Sequence, residues 1–347
     1  MLEFNFRRVL ITGVSGSGGS YLAEHLVNNY PSAEVCGITR WHSTTSRDNL
    51  EAIANKVKIH ECDLTDAFSV LRTLRKVNPD AIFHLAAYAN VKAAFDYPLA
   101  VSENNIKGTL NLLEAVRFLN ETEIIKNPRI MIASTPEVYG QPDKKHIPIT
   151  EECPIDPVNP YAVSKTMQDI WGKMSNKSYG LDVIRTRMFT YINPRRTDLF
   201  ATSFAMQVAR IEKGLQKEML HGNLESTRTI LDVRDAMEAY CYAIAKGEPG
   251  EAYNIAGTTT MKVGDVLEVL KRKAKCDIPT RLNPELLRPT DVTLQIPSTE
   301  KFMRKTGWKP KYSFEESIEF LLDHCRREVE KEEAIKKISE KYRDGGV

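Results

Sequence analysis

A tyrosine and a lysine stand four residues apart in "NPYAVSK", at Tyr161 and Lys165. At this spacing in a helix, the two side chains lie on one face. A lysine can lower the pKa of a nearby phenol, and the resulting phenolate can take a proton from an alcohol. The pair is also common on amphipathic helices with a solvated lysine, so its chemistry depends on the rest of the chain.

A second group of reactive side chains occurs in "ASTPEVYG", residues 133–140, directly after the apolar run at residues 129–132. This pattern predicts a buried strand that ends in a loop, and such carboxyl ends carry the sites of parallel sheets. Thr135 offers a hydroxyl and Glu137 a carboxylate. Pro136 lies between them and can neither donate nor accept a proton.

The segment "VLITGVSGSGGSYLAEHL" predicts a dinucleotide-binding turn. A strand at residues 9–11 leads into Gly13, Ser15, Gly16 and Gly19, and a helix begins at about Gly19. Glycines here allow a tight turn and let backbone N–H groups approach a pyrophosphate at the positive end of the helix. With this turn upstream, Tyr161 and Lys165 are expected to serve hydride transfer to or from a nicotinamide.

The end of the second strand, "GITRWHS", indicates which cofactor is bound. NAD sites usually place a carboxylate there for the ribose 2′-hydroxyl, whereas this chain has Thr39 and Arg40. Arg40 can pair with a 2′-phosphate, and Trp41 can flank the adenine. NADP(H) is therefore favoured and NAD(H) stays open, because Arg40 also fits a surface arginine whose stem covers apolar atoms.

Short apolar runs alternate with segments of helical period through the first half of the chain, with runs at residues 9–11, 35–38, 57–59, 81–83, 130–132 and 183–184. This alternation predicts an α/β fold with a Rossmann-type, doubly wound parallel sheet. We expect residues 1–188 to form mainly the dinucleotide-binding domain. Residues 189–347 should form mainly a smaller, interleaved substrate-binding lobe, with strands at 229–231 and 253–255.

Composition excludes several classes of function. The chain has 347 residues, a net charge of +2, and no basic run with interleaved aromatics, which argues against nucleic acid. The six cysteines are scattered without metal-ligand spacing, so no metal site is expected. No run is long and apolar enough to span a membrane, and a strand begins too early for a signal peptide, so we expect a cytoplasmic protein.

The motifs "TGVSGSGG", "CDLTD", "HLAA", "NNIKGT", "STPEVYG" and "PYAVSK" resemble those of the extended short-chain dehydrogenase/reductases, in the same order over nearly the whole chain. The chain is most similar to the branch of GDP-mannose 4,6-dehydratases and GDP-4-keto-6-deoxymannose reductases. The resemblance implies a homodimer or homotetramer. It also implies a catalytic group of Thr135, Glu137, Tyr161 and Lys165, adenosine contacts at Asp63, Leu64, Ala86 and Ala87, and substrate contacts at Thr190, Arg195, Asn223, Arg228, Arg288 and Asp291.

Three departures from that branch bear on the reaction. Pro136 and Ala89 replace side chains that could give a proton, and "FTY" at residues 189–191 replaces "FNH". We therefore expect hydride transfer at carbon 4 of a GDP-sugar. The alternatives are a 4,6-dehydratase that uses Glu137 as base, a nucleotide-sugar 4-epimerase, and a non-catalytic NAD(P)-binding regulator.

Overall fold

The computed structural model describes residues 2–40 and 47–344, with side chains through residue 336. The strands of the described chain are β1 Arg8–Thr12, β2 Glu34–Thr39, β3 Val57–Glu61, β4 Ala81–His84, β5 Arg129–Ser134, β6 Val183–Met188, β7 Tyr191–Ile192, β8 Met219–His221, β9 Thr227–Asp232, β10 Ala252–Ile255, β11 Thr259–Lys262, β12 Thr280–Leu282 and β13 Leu294–Gln295.

A parallel sheet of seven strands in the order β3-β2-β1-β4-β5-β6-β10 organises the molecule. Its first six strands follow the doubly wound order, whose switch point lies between β1 and β4. The predicted fold class is confirmed.

The helices are α1 Ser17–Asn29, α2 Ala67–Val77, α3 Val91–Asp96, α4 Pro98–Ser102, α5 Gly108–Glu121, α6 Pro160–Tyr179, α7 Phe200–Glu212, α8 Val233–Lys246, α9 Val263–Lys273, α10 Glu300–Thr306 and α11 Phe314–Asp344. Helices cover both faces of the main sheet. Consecutive strand residues point to opposite faces, so Val9 and Ile11 pack in the core with α1 and α8, whereas Leu10 packs with α2 and α5.

The second half of the chain builds a smaller lobe and also returns to the main sheet. β11, β9, β13 and β7 form one small sheet, β8 pairs with β12, and apolar side chains of α7, α9 and α11 share a core. β10, α8 and α10 pack instead with the core of the main sheet, as Tyr253, Met237 and Phe302 show. The division near residue 188 stays a prediction.

The start of α6 matches ordinary capping chemistry. Asn159 caps α6 by accepting the N–H of Ala162 at 2.8 Å, and Pro160 takes the first helical position, where no N–H is needed. Within residues 2–40 and 47–344, no helix is long and apolar enough to cross a membrane.

Candidate active site

A cleft of about 640 Å³ opens at the carboxyl ends of the main-sheet strands and reaches the smaller lobe. Side chains from both parts of the chain line it. The turns after β1, β2, β4 and β5 contribute at one side, and the segments around β8, β9 and β13 contribute at the other. Ligands of open α/β sheets bind in this position.

The glycine turn after β1 lies at the base of the cleft, where all four of its predicted residues line the wall. Gly13 has a φ of +70°, which favours glycine, and a Cβ on Gly19 would collide with the carbonyl oxygen of Gly13. α1 begins with Gly16 at its N-cap and has no side-chain cap there. Its positive end therefore suits a phosphate group.

The predicted adenosine contacts also line the cleft, together with Arg40: they are Asp63, Leu64, Ala86 and Ala87. Arg40 donates from Nη2 to the hydroxyl of Tyr88 at 2.9 Å. Trp41 lies outside the described residues.

The residues of "STPEVYG" fold into a short 3₁₀ turn, Pro136–Tyr139, after β5. Thr135 caps this turn by accepting the N–H of Glu137 at 3.3 Å. Pro136 occupies the first position of the turn, where its missing N–H costs nothing. The turn brings Thr135 and Glu137 to the same cleft wall as Tyr161 and Lys165, which lie in the first turns of α6.

Tyr161 and Lys165 are both buried, and burial moves both pKa values. Burial raises the pKa of Tyr161 to about 12, while the charge of Arg196 and a hydrogen bond with Thr135 act to lower it. Burial lowers the pKa of Lys165 to about 7, and its Nζ donates to the carbonyl oxygen of Ala133 at 2.5 Å. The charge of Arg196 acts to lower the phenol's pKa in this structure, and the lowering by Lys165 stays a prediction.

Both oxygens of the Glu137 carboxylate accept amide hydrogens. Asn159 donates from Nδ2 to Oε2, and Gln295 donates from Nε2 to Oε1, each at 3.0 Å. Sequence reasoning missed both donors. The "NP" before Tyr161 signals a helix cap, which could have drawn attention to Asn159.

The structure brings four predicted substrate contacts together at the far end of the cleft. Asn223 donates from Nδ2 to Asp291 Oδ2 at 2.9 Å. Arg228 Nη2 and Arg288 Nη1 lie 3.8 and 4.0 Å from Asp291 Oδ1. Two guanidinium groups beside a carboxylate can recognise a diphosphate and the donor edge of a purine.

Two further residues were predicted to contact the substrate, and one of them does not line the cleft. Thr190 lines the cleft. Arg195 does not: it pairs with Glu24 at 2.5 Å and lies over the ring of Tyr21. Its neighbour Arg196 lines the cleft instead and donates to the carbonyl oxygen of Ala89 at 2.7 Å.

A buried ion cluster contacts β5, the strand that leads into Thr135. Asp169 accepts from Ser134 at 2.7 Å, from Arg185 at 2.6 Å, and from Arg187 at 2.9 and 3.1 Å. Burial alone would raise the pKa of Asp169, but the hydrogen bond and charge of Arg187 and the charge of Arg185 lower it to about 2. The cluster ties α6 to β5 and β6. The sequence feature that could have predicted this cluster is the pair of arginines on one face of the apolar "VIRTRM" strand, because buried guanidinium groups need a partner.

Comparisons with known proteins agree with this geometry. The chain matches the family described as GDP-mannose 4,6 dehydratase over residues 10–321. It is 31% identical over 336 residues to a GDP-mannose 4,6-dehydratase from Sordaria araneosa, with 91% of this chain and 60% of that protein covered. It is 30% identical over 328 residues to a GDP-6-deoxy-D-mannose reductase from Pseudomonas aeruginosa, with 94% and 99% covered.

Solved structures show the same relationship. RMD from Pseudomonas aeruginosa, complexed with NADPH, has a TM-score of 0.77 at 27% identity, covering 93% of this chain and 99% of that one. A UDP-glucose 4-epimerase from Thermus thermophilus, complexed with NAD, has a TM-score of 0.79 at 28% identity, with 92% and 99% covered. With its motifs, its sheet order and these matches in agreement, the chain belongs to the GDP-mannose 4,6-dehydratase family of the extended short-chain dehydrogenase/reductases.

Proposed function

We propose that this enzyme transfers hydride at carbon 4 of a GDP-sugar with a nicotinamide cofactor. One observation carries the proposal: Thr135, Glu137, Tyr161 and Lys165 line the same cleft as the glycine turn and the cluster around Asp291. A dinucleotide at one end and a nucleoside diphosphate at the other would place the sugar beside Tyr161. The names of the relatives, which act on GDP-sugars, support this substrate class.

The residues present fit a nicotinamide dinucleotide. The uncapped start of α1 suits the pyrophosphate, and Lys165 is placed to hold a ribose hydroxyl. When bound, the nicotinamide supplies the hydride acceptor or donor. Tyr161 exchanges a proton with the carbon 4 oxygen, Thr135 donates a hydrogen bond to the same oxygen, and Arg196 stabilises the phenolate.

The direct test is to follow reduced-nicotinamide absorbance with a panel of GDP-sugars and both cofactors. We expect turnover with a GDP-sugar and none with the matching UDP-sugar, because the Asp291 cluster provides the acceptor edge that guanine needs. Equal turnover of both would contradict the assignment.

We propose NADP(H) as the preferred cofactor, because Arg40 lines the cleft at the end of β2. Arg40→Ala should raise the Kd of NADPH by about tenfold or more and change that of NADH by less than twofold, since only NADPH offers a 2′-phosphate to a guanidinium. Fluorescence titration measures both constants. Arg117→Ala is the matched control and should change neither constant, because Arg117 on α5 pairs with Glu114 and Glu121 and does not line the cleft. Equal losses for the two cofactors would show that Arg40 does not contact the 2′-phosphate.

A second candidate function is 4,6-dehydration, which Glu137 favours because its carboxylate lines the cleft. In that reaction Glu137 would take the carbon 5 proton after oxidation at carbon 4. The departing carbon 6 hydroxyl would still need a proton, and Pro136 and Ala89 have none to give. Tyr88 is a candidate donor for this reaction, because its hydroxyl accepts from Arg40 and keeps its own proton. The two functions predict products of different mass.

We also propose that the chain assembles as a homodimer or homotetramer. Large apolar side chains are exposed on α4, α5 and α6, and they are Leu99, Phe118, Val163, Ile170 and Tyr179. Exposed apolar residues grouped in this way mark contact surfaces. Light scattering of the full chain should give two or four times the mass of one chain, and the mass of a single chain would contradict this proposal. The expected cytoplasmic location stays a prediction.

A further inference from the structure

The hydrogen bonds of Glu137 connect the two ends of the substrate site. Asn159, one of its donors, is the cap of the helix that carries Tyr161, and its Oδ1 is already engaged by Ala162 N–H. Its Nδ2 is therefore fixed toward Glu137. Gln295, the other donor, comes from β13 in the smaller lobe, and both donor residues are about 5% exposed or less.

Gln295 lies on β13, which pairs with the strand that carries Arg228 of the nucleotide-binding cluster. It pairs in register with Arg228 across β13 and β9. Arg228 donates from Nη2 to the carbonyl oxygen of Val292 at 2.6 Å, one residue after Asp291. Burial lowers the pKa of Arg228, and the charges of Asp291 and Glu137 both oppose this effect. The pairing of β13 with β9 thus places the donor to Glu137 beside a residue that would hold the nucleotide.

An ionised carboxylate has about four acceptor positions, and the two amides use two of them. The carboxylate of Glu137 lines the cleft beside Tyr161, so its remaining acceptor positions face the place where a ligand would bind. A carboxylate fixed by two amides is a preorganised acceptor for a hydroxyl. Such acceptors discriminate strongly between substrates that present the hydroxyl and those that lack it.

We propose that Gln295 is a positioning residue that fixes Glu137 as the acceptor for a hydroxyl of the bound sugar. Because β13 pairs with β9, Gln295 also links this acceptor to Arg228 of the nucleotide-binding cluster. The inference rests on the proposed GDP-sugar substrate. It assigns to Glu137 a role in sugar recognition that is needed whether or not water is lost.

The test is calorimetric binding of GDP and of GDP-mannose to the full chain. The ratio of the two Kd values measures what the sugar contributes. Gln295→Leu and Glu137→Gln should each reduce this ratio by about tenfold, the low end for a hydrogen bond to a charged group. The double variant should lose no more than either single one, because both act on one contact. The Kd of GDP should stay within about twofold throughout.

Gln141→Leu is the matched control for a merely structural role. Gln141 accepts the N–H of Thr293 at 2.7 Å, so its loss loosens the same segment without touching Glu137. It should leave the ratio unchanged. Gln295→Met is the second variant if Gln295→Leu does not fold, and a melting curve identifies that case.

The inference would be overturned by an unchanged ratio in the Gln295 variants, by losses that multiply in the double variant, or by an equal loss in Gln141→Leu. A wild-type ratio near one would also overturn it, because the sugar would then contribute no binding free energy through Glu137. Failure of the wild type to bind GDP is a different result. It would reject the proposed function itself, before any substitution is compared.

Discussion

Tyr161→Phe should lower kcat/KM for the GDP-sugar by ~10²- to 10⁴-fold, the usual contribution of a positioned general acid or base. The substitution removes only the phenolic oxygen, which is buried beside Thr135 and under the influence of Arg196. The apolar contacts of the ring with Ala94 and Val101 remain. The Kd values of GDP and of the cofactor should therefore stay within about twofold.

Tyr179→Phe provides the control, because Tyr179 lies at the exposed end of the same helix. It should leave kcat/KM unchanged. If Tyr161→Phe kept more than a tenth of the wild-type rate, the proton would have to travel through another group, and the assignment of Tyr161 would be wrong.

Asp169→Asn should destabilise the protein by about 3–5 kcal/mol, which is the usual effect of removing one partner from a buried ion pair. The side chains of Arg185 and Arg187 are 5% and 4% exposed, so water cannot replace the lost carboxylate. Denaturant unfolding measures the change. Asp143→Asn is the control, because Asp143 pairs with Lys145 on the surface, where such pairs contribute about 0–1 kcal/mol.

The same cluster predicts a dependence of stability on pH. The pKa of Asp169 is about 2 in the folded chain, below its ordinary value of 3.8. The unfolded chain therefore binds this proton more readily, and the stabilisation is complete above pH ~4 and lost as the pH falls toward 2. The wild type should lose stability over this range more steeply than Asp169→Asn. Equal slopes, or a loss below 1 kcal/mol at neutral pH, would contradict the role given to the cluster.

The main sheet could be predicted because its strands are buried on both faces and read as apolar runs between helical segments. The glycine turn and Tyr161 with Lys165 could be predicted because their spacing depends on one strand or one helix. Short strands such as β7 and β13 could not, since two-residue strands leave no periodic pattern. Gln295 belongs to this class, because only the pairing of β13 with β9 brings it to Glu137.

Arg195 and Arg196 show a second reason why part of the site could not be predicted from the sequence. Both stand in "NPRR", and the resemblance favoured the first as the substrate contact. The chain turns so that Arg195 meets Glu24 on α1 while Arg196 enters the cleft. Adjacent residues in a loop point in different directions, and sequence spacing alone does not decide which one faces the site.

Mass analysis of the product tests the central claim most directly. The wild-type protein is incubated with NADP⁺ and GDP-mannose, and separately with NADPH and the 4-keto-6-deoxy derivative of GDP-mannose. Our account predicts that substrate and product differ by two hydrogens wherever turnover occurs, and never by water. A product of GDP-mannose that is lighter by one water would contradict it, and would assign to Glu137 the role of the base in a dehydratase.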